Sequence, residues 1–221
     1  MPPATVPDAL LLLTSSCPNC PAVLDSLARL VKEGVLARLE IVNLQQRPEA
    51  AEEYGVRSVP WFRIGALRFQ GVYPLGELRD WARSADTAEG LAAYLGETLG
   101  TGRLADATAA ARRHPAIAEA TARLLADEDT PMEVRIGLGA IYETLAGEDR
   151  PVEASDALRE ALAPLLHAGQ ARARNDACYL LGLAGGAAAR PLLEQCLQDE
   201  DAEVRDTARE GLDLMDESDR S

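Results

Sequence analysis

Histidine and cysteine are scarce in this chain, and the scarcity narrows its chemistry. His114 and His167 are the two histidines, and Cys17, Cys20, Cys178 and Cys196 the four cysteines, among 221 residues. Structural zinc and iron–sulfur sites usually take four such ligands. Here a single Cys-x-x-Cys has no second pair and no His pair to complete it. No metal or other cofactor is expected. Long apolar runs are also missing: nowhere do 18 apolar residues follow one another without interruption, which argues against a membrane-crossing helix. The N-terminus shows no basic segment leading into a long apolar core and a small-residue cleavage site. A soluble, cytoplasmic protein is the expectation. Positive charge is short as well, with 22 Lys+Arg, Lys32 the only lysine, against 36 Asp+Glu, a formal net charge of −14. The deficit is uneven. Residues 1–88 carry 9 basic and 10 acidic side chains, residues 89–221 carry 13 and 26. An acidic surface repels phosphate, so neither nucleic acid nor an anionic membrane is expected as partner, while a basic protein would be steered toward it. A merely well-solvated face is the plainer alternative.

What is present begins with the two close cysteines. Leu10 to Leu13 form an apolar run too short for a good helix and suited to a buried strand, and Thr14-Ser15-Ser16-Cys17-Pro18-Asn19-Cys20-Pro21 follows it. Pro18 suits the first turn of a helix, which puts Cys17 at the helix N-terminus, with Pro18 and Asn19 as the active-site loop. There, free backbone N–H groups and the positive end of the helix dipole favour a thiolate, lowering the Cys17 pKa below the roughly 8.5 of a free thiol. Cys17 is the expected nucleophile. Cys20, about one turn on, is the expected resolving thiol. Half of a metal site and two inert buried cysteines are the competing readings. In a reducing compartment a Cys-x-x-Cys is more plausibly catalytic or sensing than structural.

The first part of the chain alternates strand and helix. Strands are predicted at about 8–14 and 36–43, with helices at 18–33 and 47–54. Short strands near 60–64 and 67–70 and a helix at 75–85 complete a βαβαββα domain over residues 1–87. Gly34 ends the first helix, and Gly65 marks a hairpin between Trp61-Phe62-Arg63-Ile64 and Leu67-Arg68-Phe69.

The run Gln46-Arg47-Pro48-Glu49-Ala50-Ala51-Glu52-Glu53-Tyr54-Gly55-Val56-Arg57-Ser58-Val59-Pro60-Trp61 resembles the thioredoxin segment that ends in the proline loop. Together with Cys17-Pro18-Asn19-Cys20 upstream, it makes residues 5–86 similar to the thioredoxin-fold superfamily. The resemblance implies a cis Val59–Pro60 bond lying against the cysteine pair. It further implies that the Val59 backbone holds an extended substrate and that Trp61 lines the same groove; Trp61 as plain core packing is the alternative. The compact glutaredoxin-like version of the fold, without a leading strand and helix, fits best. Leu11 stands where thioredoxins carry a buried Asp, Ser16 where they carry Trp, and Pro18-Asn19 where they carry Gly-Pro. Cys-Pro-x-Cys-Pro is closer to glutaredoxins and to the N-terminal redox domain of bacterial peroxide-reductase flavoproteins. Gln70-Gly71-Val72-Tyr73-Pro74 departs from the Gly-Gly-x-x-Asp glutathione clamp.

After about residue 86 aromatic and β-branched runs vanish and the helical period takes over, defining an all-α domain over residues 88–221. Helices are predicted at 88–99, 102–112, 115–126, 131–146, 153–167, 171–184, 187–198 and 202–215. Pro115, Pro131 and Pro191 serve as helix starts, and Gly147, Gly169 and Gly185 follow helix ends. Leu125 to Arg135 resembles Leu197 to Arg205 with a two-residue insertion, and Ala173-Arg174-Asn175-Asp176-Ala177 aligns with Val204-Arg205-Asp206-Thr207-Ala208. The stretch from Ala173 to Leu212 resembles the HEAT-like repeat named for phycobilisome lyases. The implied architecture is an α-solenoid whose helix-start Asp and following Arg cap helices and join repeats. Cys178 and Cys196 fall on apolar faces and read as small core residues rather than a second redox pair. His114 reads as a helix-start residue and His167 lies near a helix end. The Asp127-Glu128-Asp129 and Asp199-Glu200-Asp201 clusters read as capping loops.

Two functions follow. In the first, a thiol–disulfide oxidoreductase acts on a protein disulfide, with the helical array docking the partner. In the second, the array is a non-enzymatic, redox-responsive adaptor or scaffold. The partner and the electron donor or acceptor stay open, and an exposed apolar strip on the terminal repeat would support a homodimer.

Overall fold

The computed structural model describes residues 6–146 and 152–218. The chain divides into two compact units, Met1–Leu91 and Ala92–Ser221.

The first unit is built around β1 (Asp8–Leu13), whose Ala9, Leu10, Leu11 and Leu12 are all buried. A strand buried on both faces must be central, and it is. The sheet runs β2 (Arg38–Asn43), β1, β3 (Trp61–Ile64), β4 (Leu67–Gln70). β1 lies parallel to β2 and antiparallel to β3, and β3 is antiparallel to β4. Burying each of those leucines contributes about 1.5–3 kcal/mol. Helix α1 (Cys20–Lys32) buries Val23, Leu27 and Leu30, spaced four and three apart on one stripe. Gly34, at φ 73°, takes the left-handed turn just past α1 that a side chain would resist. Helices α2 (Glu49–Tyr54) and α3 (Leu75–Ser84) complete the βαβαββα order.

Alternation along β3 supplies two cores. Phe62 stacks on Phe69 at 5.2 Å, with Tyr73 edge-on to both and Trp81 tilted against Phe69. Trp61, on the other face, packs with Leu10, Leu12, Val42, Leu44, Tyr54 and Val56. α1 begins two residues later than the predicted 18. Pro21, not Pro18, occupies its first turn, and Pro18-Asn19 form a turn ahead of it.

The second unit is helical. It comprises α4 (Ala88–Gly100), α5 (Leu104–Arg113), α6 (Ile117–Ala126), α7 (Met132–Ala146), α8 (Val152–Leu162), α9 (Ala171–Ala184), α10 (Arg190–Cys196) and α11 (Ala202–Ser218). Two predicted helices are each partly 3-10 in form. After Leu162 the chain tightens into a 3-10 turn, Ala163–His167, because Pro164 has no N–H with which to continue the ladder. A second 3-10 turn, Ala187–Ala189, precedes α10, where Pro191 sits in the first turn. The end signal at Gly147 lies outside the described residues. His114 is not a helix start: it caps the end of α5, is buried, and its Nδ1 accepts the Ala116 N–H at 3.1 Å. Among the described residues no helix is long and apolar enough to cross a membrane.

Alternate helices pack in rows, α5 on α7, α7 on α9, α9 on α11, and α6 on α8. An ideal Cβ on Gly182 would stand 2.7 Å from the Gly211 Cα, so glycine at both positions is what lets α9 and α11 meet so closely.

One arginine recurs as the fourth residue of α7, α9 and α11. Arg135 donates to the carbonyls of Leu125, Asp127 and Thr130 and pairs with Asp176 at 2.6 Å. Arg174 donates to the Ala168 carbonyl and grips Asp199 through two bonds of 2.8 and 2.9 Å. Arg205 donates to the carbonyls of Asp199 and Glu200. Each guanidinium satisfies the loop before its own helix, and the first two also pair with a carboxylate further along the same unit, Asp176 or Asp199. The region is thus consistent with a repeat array. The acidic clusters cap loops: Asp127 and Asp199 each accept the N–H two residues on, and Asp201 accepts those of Glu203 and Val204.

Candidate active site

Parallel pairing of β1 with β2 brings their C-terminal ends together, Leu13 opposite Asn43. The antiparallel register sets Trp61 opposite Leu12, so Val59–Pro60 enters the sheet at that same end. Everything that leaves β1 there must turn sharply. The Cys17 N–H donates to the Thr14 carbonyl at 3.2 Å, and the Asn43 side chain donates to the Ser15 hydroxyl at 3.0 Å. The Asn43 side-chain oxygen in turn accepts the Gln45 N–H at 2.9 Å. Asn43 and Ser15 thus brace the loop, and nothing in the sequence singled them out, since the register that joins them is a tertiary fact.

Cys17 and Cys20 form a disulfide with their Cα atoms 5.5 Å apart. They are not equivalent. Cys17 is partly exposed beside exposed Pro18 and Asn19, whereas Cys20, the first residue of α1, is only 3% exposed. The Cys20 N–H, left free at the helix start, donates to the Cys17 Sγ at 3.1 Å. A nucleophile or substrate sulfur arriving from solvent meets Cys17 first, and Cys20 reaches only its neighbour.

The Val59–Pro60 peptide bond is cis. Pro60 is buried and its carbonyl accepts the Gly71 N–H at 2.9 Å, while Val59 remains partly exposed. Trp61 is a core residue rather than a groove lining. It is 4% exposed, lies 5.6 Å from the Tyr54 ring, and carries the Arg68 guanidinium 5.8 Å from its ring centroid. Leu11 is fully buried between Ile41 and Phe62 in the register, so no carboxylate stands at that position. Among the described residues no group of three or more His, Cys, Asp or Glu side chains is arranged to hold a metal ion.

A four-stranded mixed sheet with helices and a Cys-x-x-Cys at its first strand-to-helix turn defines a thioredoxin-like domain. Residues 9–83 match the family model described as a thioredoxin domain. No curated protein matches the chain. The domain and its cysteine pair support a thiol–disulfide redox function.

Proposed function

We propose that this protein is a thiol–disulfide oxidoreductase acting on a protein disulfide. The Cys17 thiolate attacks the substrate disulfide, one substrate sulfur leaves as thiolate, and a mixed disulfide forms on Cys17. Cys20 then attacks the Cys17 sulfur, the second substrate thiolate leaves, and two electrons have passed to the substrate. The observation that carries this reading is the asymmetry of the pair: a partly exposed Cys17 whose Sγ accepts the helix-start N–H of a buried Cys20. Val59 and Pro60, at the same end of the sheet, are the proposed substrate-strand contacts.

The helical unit is the proposed docking element for a partner, with its acidity favouring a basic one. Its exposed large apolar side chains, Leu104, Met132, Ile136, Tyr179 and Leu214, all belong to the row α5, α7, α9, α11. Cys20→Ser is expected to accumulate a mixed disulfide between Cys17 and a protein substrate, and a reactive Cys17 that yields no such adduct rules out a protein disulfide as substrate.

The second reading, a redox-responsive adaptor, draws on buried Leu11, which leaves no acid there to assist proton transfer. Turnover separates the two: an adaptor reduces disulfides no faster than free dithiol does, and either binds its partner equally well after Cys17→Ser or, with both cysteines present, changes affinity with redox state.

A further inference from the structure

We propose that the outer edge of β2 pairs with the same edge of a second copy of this chain, joining two four-stranded sheets into one across a two-fold axis. Among the described residues β2 is an edge strand: it pairs with β1 on one side and with no strand on the other. Parallel strands bond through alternate residues. The Leu44 N–H donates to the Leu13 carbonyl, and the register sets Leu13 opposite Asn43, so Glu40 and Val42 turn their backbone groups toward β1. The N–H and C=O groups of Leu39 and Ile41 therefore face outward. The Asn43 carbonyl accepts the N–H groups of Gln46 and Arg47, which ends the open ladder there.

An open edge is a template for another strand, and proteins that must stay apart blunt it with charge or proline. β2 has no proline, and its two charges are of opposite sign. Arg38 and Glu40, two residues apart, share one face of the strand, while Leu39 and Ile41, the latter 48% exposed, share the other. Register decides the partner. An antiparallel pairing centred on Leu39 sets Arg38 of each copy opposite Glu40 of the other, in the non-hydrogen-bonded positions where facing side chains come closest. Leu39 then meets Leu39, and Ile41 lies opposite Ala37, which is also exposed. One face carries two ion pairs and the other an apolar strip. Centring the pairing on Glu40 instead sets two carboxylates against each other, and centring it on Ile41 sets Glu40 opposite Val42 and Arg38 opposite Leu44. The Arg38 guanidinium meets Asp8 at 3.1 Å with both side chains well exposed, which leaves room for a second carboxylate. A strand so complementary to itself selects an identical copy, in the isologous contact of a two-fold dimer. Because β1 runs parallel to β2, the Cys17 turns of the two copies fall at opposite ends of the joined sheet. A six-residue edge makes a small interface, so the dimer forms only as concentration rises.

The test follows the full chain by analytical ultracentrifugation over a wide range of concentration, with hydrogen exchange at the Leu39 and Ile41 amides read at both extremes. A monomer–dimer equilibrium with slower exchange at those two amides is expected. Glu40→Arg sets arginines opposite one another and should weaken the dimer about tenfold, as should Arg38→Glu, which sets glutamates opposite one another. An equimolar mixture of the two variants restores both ion pairs and should dimerise as well as the wild type, a rescue that misfolding of either variant does not produce. A chain that stays monomeric at every concentration overturns the proposal. So does a dimer that neither variant weakens, a mixture that associates no better than either variant alone, or a dimer whose two amides exchange as they do in the monomer, the mark of a contact made elsewhere.

Discussion

The two units each hold two cysteines, and the settings of the two sets are opposite. In the first, the pair is local. Three residues separate the sulfurs, one helix start supplies the N–H, and the sheet's only task is to present the turn. In the second, Cys178 and Cys196 lie eighteen residues apart, each free and buried on its own helix, α9 or α10. The supporting frameworks differ too. The sheet unit rests on apolar side chains buried on both faces of β1 and on the aromatic set around Phe62 and Phe69. The helical unit has few aromatics and joins successive helices through the buried Arg135 and Arg174. Chemistry placed by local backbone tolerates changes elsewhere, whereas a framework held by packing depends on every joint.

Mutating one unit at a time tests that contrast. Cys17→Ser carries the largest expected effect, since exchange should fall to the uncatalysed background in a dithiol-driven disulfide reduction assay, with the folding of the helical unit unchanged. Arg174→Ala comes next. It leaves Asp199 (11% exposed side chain) without its bidentate partner and strips the donor from the Ala168 carbonyl. A loss of about 3–5 kcal/mol in denaturant unfolding is expected for breaking such a buried pair. The Cys17–Cys20 redox potential should stay where it is, and a shift there would break the contrast.

Gly182→Ala is expected to cost less, about 1–3 kcal/mol by overpacking, of which the better helix propensity of alanine returns about 1. Calorimetric unfolding should show a lowered melting temperature. The smallest effect is one of pH. The hydrogen bonds from Arg174 hold the Asp199 carboxyl below its ordinary range. A carboxylate whose folded pKa is depressed contributes stability that is present above the unfolded value of about 3.9 and lost as pH falls through the folded one. Acid titration of stability should therefore be steeper below about pH 4 in the wild type than in Asp199→Asn.

The amino-acid sequence by itself determined the alternation of elements in the sheet unit, the helical period beyond it, the Cys17–Cys20 motif and the repeat of Arg135, Arg174 and Arg205. All of these are local patterns of period, spacing or self-similarity, and such patterns survive in one dimension. Its misses were also local. Pro18 and Pro21 compete for one place in the first turn of α1, which propensity alone cannot rank and Pro21 holds; Pro164 interrupts the ladder inside a predicted helix, which the helical period of its neighbours masks. Only the tertiary structure decided that Trp61 belongs to the core, that Asn43 reaches Ser15, and that Gly182 and Gly211 touch. Each of these is a contact between residues far apart along the chain, fixed by strand register or helix crossing, and neither is set until the whole of its unit has packed.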